Sequence, residues 1–141
     1  MLRKATAVWT GGLKDGAGKI STDSGVLKDT QYSFSTRFED GIGTNPEELI
    51  AAAHAGCFTM ALSGQLGAAG MTAESINTTA EVRLEKVEGG FAITKIHLTV
   101  RAHIPGAENE AFMTAANNAK AGCPVSKLLN AEITMDAALE N

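Results

Sequence analysis

The chain has 141 residues, 44% hydrophobic and 20% charged, a composition typical of one soluble globular domain over residues 1–141. Its formal net charge is −4 and its Lys and Arg residues are scattered, so we expect no nucleic-acid partner. Residues 1–10 lack the apolar core of a signal peptide, and polar residues interrupt the longest apolar region, so we expect neither export nor a membrane partner. The expected compartment is the cytoplasm, which keeps thiols reduced.

The N-terminal third is predicted to form strands separated by Gly-rich turns. Residues 5–10 and 18–22 suit the first two strands. Residues 31–39 alternate between an apolar and a polar face, and this period of two predicts a third, half-buried strand. Arg37 would lie on the polar face of that strand.

A long helix is predicted next. Asn45 suits the N-cap, Pro46 the first helical position and Glu48 the third, where its carboxylate would complete a capping box. The helix is expected to run to about Ala69, with Gly70 ending it. Its apolar residues cover nearly all sides, which indicates burial in a core or under a partner.

The remaining chain predicts a hairpin, two helices and a last strand. The hairpin strands are residues 76–84 and 96–104, and a Gly-containing turn at 88–90 joins them. Residues 107–121 and 124–129 have helical patterns, and residues 133–139 suit a strand. Because strands and helices are segregated along the chain, we predict an α+β fold. The apolar surface exceeds what these elements can cover, so we expect a dimer.

Two cysteines are the first candidate functional residues. If Cys57 and Cys123 meet, they form a redox couple, a metal site or buried packing. Cys57 lies inside the long apolar helix, where burial favours packing and raises the pKa of a thiol unless a cation reaches it. Cys123 precedes Pro124 at a predicted helix start, where backbone N–H groups favour a thiolate; alternatively it is a small cap in place of serine.

Arg37 and Glu47 are the candidate charged partners. Arg37 precedes the cysteine-bearing helix by a few residues and is the best cation, unless its face is simply solvated. At about 100° per residue, Glu48 points away from Cys57 and is occupied by the capping box. Glu47 remains free to hold an arginine near the thiol, although both glutamates would also stabilise a helix N-terminus.

A metal site is the weaker interpretation. His54 shares one side of the helix with Cys57, and Cys123 with His97 or His103 would complete a zinc set. His97 and His103, however, fall on the polar face of their strand, and the chain has no closely spaced cysteine pair. We therefore expect His54 to be a core or site-wall histidine, and we expect neither a metal nor a cofactor.

Five segments resemble the OsmC/Ohr family of thiol peroxidases, and its OsmC branch more closely than its organic hydroperoxide resistance branch. They are STDSGVL (21–27), TRFE (36–39), GTNPEELIAAAHA (43–55), GFAITKI (90–96) and KAGCPVS (120–126). The resemblance covers essentially the whole chain. It implies an intertwined α+β homodimer with sites at the subunit interface. It also implies an enzyme that reduces organic hydroperoxides, and hydrogen peroxide less well, in oxidative and osmotic stress.

The resemblance also assigns roles to the four candidates. Cys57 matches the peroxidatic cysteine, Cys123 the resolving cysteine, Arg37 the arginine that activates the thiolate and Glu47 the glutamate that positions it. An external dithiol would then reduce the Cys57–Cys123 disulfide. This assignment conflicts with the argument from position, which makes Cys123 the better thiolate. A cation within about 4–6 Å of Cys57 lowers a thiol pKa enough to resolve the conflict.

Two further expectations concern the substrate and the rival functions. The apolar residues next to Cys57, namely Phe58, Met60 and Leu62, are expected to bind an alkyl tail. The rivals are a non-catalytic thiol redox sensor or small-ligand binding protein, and a structural metal protein.

Overall fold

A three-stranded antiparallel sheet builds the first of two units, Met1–Leu49. The computed structural model describes all residues, Met1–Asn141. Strands β1 (Ala5–Thr10), β2 (Ala17–Thr22) and β3 (Thr30–Tyr32) follow one another in the sheet. Ala5 pairs with Thr22 and Thr10 with Ala17, so a tight Gly-containing loop joins β1 and β2. The first two predicted strands are confirmed.

The third predicted strand is wrong beyond Tyr32. Residues Phe34–Phe38 form a short helix, α1, and Arg37 therefore lies on a helix rather than on a strand face. Ser33 caps this helix: its hydroxyl accepts a hydrogen bond from the Thr36 amide, and its own amide donates to the Thr36 hydroxyl at 2.8 Å. Such local bonds compete with a strand ladder. The alternation of apolar and polar residues over 31–39 predicted a strand wrongly, because Phe34 and Phe38 are also one helical turn apart. Their ring centroids are 4.8 Å apart.

Helix α2 (Pro46–Ala68) confirms the predicted long helix. The Glu48 amide donates to the Asn45 side chain at 2.7 Å at its start, and Gly70 adopts a φ of 78° after its end. Phe58, Leu62 and Leu66, spaced one turn apart, are buried along one face. By length and composition alone α2 is apolar enough to cross a membrane, but the core helix of a soluble protein passes the same test.

The second unit, Ile50–Asn141, holds the main core. Strands β4 (Ser75–Val87) and β5 (Gly90–His103) form the predicted hairpin, and β6 (Glu132–Leu139) runs parallel to β5. Helices α3 (Asn109–Gly122) and α4 (Pro124–Leu128) lie between β5 and β6 in the chain. Alternate residues of β5 pack with the buried faces of α2 and α3. The α+β class is confirmed, and the single domain over residues 1–141 stays a prediction.

Candidate active site

The two cysteine sulfurs meet in the second unit. Cys57 Sγ and Cys123 Sγ are 2.7 Å apart, and both residues are free thiols. Cys57 projects from the middle of α2, whereas Cys123 joins α3 to α4: its amide closes α3 by donating to the Ala119 carbonyl at 2.9 Å, and Pro124 begins α4. The sulfurs are separated by 66 residues in sequence, so tertiary packing alone brings them together. Only a small movement would bond them covalently.

The two thiols differ in charge preference. Burial raises the pKa of Cys57, its hydrogen bond with Cys123 raises it further, and a bond from the Val125 amide only partly opposes this. Burial alone would also raise the pKa of Cys123, but bonds from Cys57, the Ser126 amide and hydroxyl, and the Val125 amide outweigh it and lower the pKa.

The short sulfur–sulfur contact fits a donated proton in either direction. We place that proton on Cys57, because the Cys123 sulfur accepts from more donors. The Cys123 side chain makes no capping hydrogen bond at the start of α4. Within this unit the surroundings therefore favour a thiolate at Cys123 over one at Cys57, in agreement with the argument from its position in the sequence.

His54 is a core histidine, as expected. It is fully buried on α2, and its Nε2 lies 2.7 Å from the Ser126 hydroxyl of α4. Burial lowers the pKa of His54, so the ring is neutral at pH 7. Its Nδ1 is buried and has no hydrogen-bond partner. Sequence reasoning did not find Ser126, although its place three residues after Cys123 was a usable signal.

The histidines of the zinc hypothesis have separate partners. His97 Nδ1 lies 2.6 Å from the Thr134 hydroxyl, and His103 Nε2 lies 3.1 Å from a Glu74 carboxylate oxygen. No group of three or more His, Cys, Asp or Glu side chains is arranged to hold a metal ion.

Arg37 and Glu47 form an ion pair in the first unit. The Arg37 Nε and Nη2 donate to the same carboxylate oxygen, Glu47 Oε1, at 2.9 and 2.8 Å. Glu47 is 8% exposed, and its Oε2 is buried without a partner. The Asn45 amide group donates to the Thr36 carbonyl at 3.0 Å, which fixes α1 against the start of α2. The contact expected between Glu47 and an arginine is therefore present.

Glu48 is occupied, but not as the capping box predicted. Its Oε2 accepts a hydrogen bond from the Thr44 hydroxyl at 2.8 Å instead of bonding the Asn45 amide. The side chain is thereby held at the exposed start of α2. The two adjacent glutamates thus differ as anticipated: Glu47 holds Arg37, and Glu48 serves the helix start.

An aromatic cavity lies beside Arg37 within the first unit. Its volume is about 280 Å³, and its lining is mainly aromatic and apolar, with the chain's only Trp, its only Tyr and two of its Phe: Trp9, Leu13, Tyr32, Phe34 and Phe38. Gly18 packs between Trp9 and Tyr32, where a Cβ would overlap both rings. Sequence reasoning missed this cavity, although the clustering of scarce aromatics before residue 39 was a signal for it.

The apolar neighbours of Cys57 do not form the expected alkyl-binding surface. Phe58 and Leu62 are fully buried in the core of the second unit, because each continues the stripe that packs against β5 and α3. Met60 points the other way and is 79% exposed. Helical spacing separates residues 58 and 62 from residue 60 by about half a turn, so the three never share one face.

Comparison with known proteins places these features in a family. A family profile described as "OsmC-like protein" matches residues 39–138, which include Glu47, Cys57 and Cys123 and begin just after Arg37. Peroxiredoxin OsmC of Escherichia coli (strain K12) is 55% identical over 139 residues, covering 99% of this chain and 97% of that protein. Organic hydroperoxide resistance protein OhrB of Bacillus subtilis (strain 168) is 30% identical and covers 88% of this chain and 90% of its own length.

Solved structures of other proteins share this fold. The crystal structure of Bacillus subtilis OhrB has a TM-score of 0.68 at 28% identity, covering 97% of this chain and 98% of that one. An OsmC-like protein from Mycoplasma pneumoniae has a TM-score of 0.76 at 15% identity and full coverage of this chain, which supports the fold alone. The expectation of a thiol-dependent peroxidase nearer to OsmC than to Ohr is confirmed by these relatives. The chain belongs to the OsmC-like protein family.

Proposed function

We propose that this protein reduces organic hydroperoxides to alcohols, and hydrogen peroxide less well, through a cycle of its two cysteines. One observation carries the proposal: two free thiols 66 residues apart in sequence lie with their sulfurs 2.7 Å apart. The similarity to a peroxiredoxin and to organic hydroperoxide resistance proteins supports the same substrate class. The site needs no cofactor, because sulfur itself carries the two electrons.

The cycle has three steps. The Cys57 thiolate attacks the distal peroxide oxygen; an S–O bond forms, the O–O bond breaks, and the alkoxide takes a proton and leaves as alcohol. Cys123 then attacks the Cys57 sulfenic acid, forming a disulfide and releasing water. An external dithiol reduces the disulfide by exchange and restores both thiols.

Activation of Cys57 is assigned to Arg37. The surroundings of Cys57 within residues 50–141 raise its pKa, so attack at neutral pH needs a cation from elsewhere. A guanidinium within about 4–6 Å lowers such a pKa by about 1–3 units. Arg37 would also donate hydrogen bonds to the peroxide and to the leaving oxygen, where charge develops. Glu47 is the positioning residue, since its buried carboxylate orients the Arg37 fork.

The aromatic cavity is assigned to the organic part of the substrate. It lies beside Arg37, so a peroxide held by the guanidinium would extend its alkyl or aryl group over Trp9, Tyr32 and Phe34. Burial of such a group contributes roughly 25 cal/mol per Å² of apolar surface, and hydrogen peroxide has none to bury. The cavity therefore supports a preference for organic hydroperoxides.

We further propose an intertwined homodimer in the cytoplasm. Strand β1 is exposed along all of its residues, and the apolar Val8, Trp9 and Met60 are exposed in the single chain. An exposed edge strand and apolar surface favour pairing with a second copy. The acidic charge supports the absence of a nucleic-acid partner, and a reducing compartment suits a disulfide that must be recycled. Sedimentation of the purified protein tests this, since a monomer at micromolar concentration would contradict it.

The decisive experiment is a peroxide-consumption assay with a small dithiol. We expect catalytic turnover that is faster with a bulky alkyl hydroperoxide than with hydrogen peroxide, and none in Cys57→Ser. The exposed Ser63 of the same helix offers a control in Ser63→Ala, which should behave as wild type. Full turnover in Cys57→Ser would overturn the proposal.

A thiol redox sensor is the second candidate. The contact between the two free thiols favours it, because the same Cys57–Cys123 disulfide could form without any turnover. A sensor would be oxidised once, in stoichiometric amount, and would show no sustained consumption of peroxide and dithiol. Metal analysis of the purified protein tests the remaining alternative, a structural metal protein.

A further inference from the structure

His54 and Ser126 form a buried polar pair that the proposed peroxidase cycle does not use. His54 lies one helical turn before Cys57 on α2, and Ser126 lies one turn after Cys123 on α4. The His54 Nε2 and the Ser126 hydroxyl are 2.7 Å apart, at 0% and 8% exposure. Buried polar groups of this kind are costly unless each hydrogen bond is used.

The orphaned Nδ1 of His54 identifies the tautomer. A neutral imidazole carries one hydrogen, on Nδ1 or on Nε2. With the hydrogen on Nδ1, the buried Nδ1–H group would be an unpaired donor, and the Ser126 hydroxyl would donate its only hydrogen to Nε2. With the hydrogen on Nε2, His54 donates to Ser126, and the serine hydrogen remains for another acceptor. Unpaired buried acceptors are also better tolerated than unpaired buried donors.

The acceptor available to Ser126 is the Cys123 sulfur. The Ser126 hydroxyl and amide both favour the thiolate of Cys123, together with the Val125 amide and the Cys57 thiol. These bonds form a continuous path from His54 through Ser126 to Cys123. His54 acts on the sulfur only through Ser126, so it is a positioning residue.

The two sulfurs also differ in access. Cys123 is 0% exposed, whereas Cys57 is partly exposed. In thiol–disulfide exchange, the attacking thiolate needs access to one sulfur, and the other leaves faster when its thiol pKa is lower. Access selects Cys57 as the attacked sulfur, and the hydrogen-bond donors around Cys123 stabilise it as the leaving thiolate.

We propose that His54 and Ser126 position Cys123 as the leaving thiolate when the disulfide is reduced, so that the external dithiol attacks Cys57. This inference rests on the proposed cysteine cycle. The reductant thiolate forms an S–S bond with Cys57, the Cys57–Cys123 bond breaks, and its electron pair stays on Cys123, which accepts the Ser126 hydrogen bond. The second reductant thiol then attacks the reductant sulfur of the mixed disulfide and releases Cys57. The dithiol is oxidised to a disulfide, and its two protons balance the two restored thiols.

The direction of attack is tested by trapping. The protein is oxidised to the disulfide with diamide, mixed briefly with the monothiol glutathione, quenched with acid, alkylated and mapped by mass spectrometry. We expect glutathione on Cys57 and the alkyl group on Cys123. Glutathione mainly on Cys123 overturns the inference. Because diamide replaces peroxide, this result does not depend on peroxidase activity, so failure of the inference and failure of the proposed function are distinguishable.

The roles of the pair are tested by the rate of disulfide reduction with dithiothreitol. Loss of the Ser126 hydroxyl removes a donor that lowers the pKa of Cys123, so Cys123 becomes a poorer leaving thiolate. We expect reduction of the disulfide to be several-fold slower in Ser126→Ala, on the order of three- to tenfold. Ser126→Thr keeps the hydroxyl, and His54→Gln keeps a side-chain N–H donor. Both variants should therefore keep most of the wild-type rate of reduction. Ser63→Ala is the matched exposed control. Wild-type rates in Ser126→Ala, or equal losses in Ser126→Ala and Ser126→Thr, overturn the inference.

Discussion

Replacing Glu47 by glutamine tests whether this carboxylate acts by holding Arg37. Glu47 Oε1 accepts both the Nε and the Nη2 hydrogen bonds of Arg37, at 2.9 and 2.8 Å. Glutamine keeps the length of the side chain and one acceptor oxygen but removes the charge. It also places an NH2 group at the position of Oε2, which is buried without a partner. The substitution therefore weakens the pair and adds an unpaired donor.

The magnitude follows from these contacts. Glutamine removes the carboxylate charge but leaves the Arg37 charge, so each bond keeps one charged partner instead of two. Within the range of about 1.5–3 kcal/mol for hydrogen bonds to charged groups, we take a weakening of about 1 kcal/mol for each bond. The Arg37 side chain is 41% exposed, and solvent screening reduces the combined loss to about 1 kcal/mol. We expect about a fivefold lower kcat/KM with an organic hydroperoxide, since about 1.4 kcal/mol corresponds to tenfold. The unpaired donor should also lower the free energy of unfolding, by about 1 kcal/mol.

Glu48→Gln is the matched control, because Glu48 is the neighbouring residue, is exposed and bonds Thr44 instead of Arg37. Its kcat/KM should stay within about twofold of wild type, a change of less than about 0.5 kcal/mol. The measurement is steady-state peroxide consumption at saturating dithiol, with urea unfolding of each variant beside it. The reasoning is refuted if Glu47→Gln keeps wild-type kcat/KM, or if Glu48→Gln loses as much.

Three further predictions concern the thiols, the buried histidine and the core. Cys123→Ser should turn over slowly and accumulate a Cys57 sulfinic acid, which forms when a second equivalent of peroxide oxidises the sulfenic acid and which mass spectrometry detects; normal recycling would remove the resolving role. Burial lowers the pKa of His54 from its ordinary 6.5, so below that pH the unfolded chain binds a proton that the folded chain does not. The free energy of unfolding should therefore fall below about pH 6.5, by at most about 1.4 kcal/mol per pH unit, and less in His54→Gln. An equally steep fall in His54→Gln would contradict this. Leu62→Ala should lower the free energy of unfolding by about 2–5 kcal/mol, whereas the exposed Gln65→Ala should change it by less than about 0.5 kcal/mol. Equal urea midpoints for these two variants would contradict the assignment of the core.

The sequence alone determined the elements whose signals are local. The Asn45 cap, Pro46 and Gly70 delimit α2 because capping and backbone conformation depend on residues a few positions apart. The hairpin of β4 and β5 followed from alternation around a short turn for the same reason. The different partners of Glu47 and Glu48 were also accessible, since the angle between neighbouring helical residues is fixed.

Local patterns failed where two periods coincide. Phe34 and Phe38 satisfy both strand alternation and a helical turn, and the Ser33 cap decided for the helix. A local pattern also failed to predict the surface around Cys57, where an alkyl-binding site was expected. Only the packed structure shows that Phe58 and Leu62 are buried in the core and that Met60 is exposed.

Tertiary structure alone decided the contact between Cys57 and Cys123 and the path from His54 through Ser126. These groups come from helices distant in sequence, and neither periodicity nor capping carries information about which side chains meet across a core. The electrostatic preference for a thiolate at Cys123 was visible from its place before Pro124, but its strength depends on donors that only the packed α2 and α4 supply. Folding thus converts two ordinary thiols into an unequal pair, because burial and hydrogen bonding act on each sulfur differently.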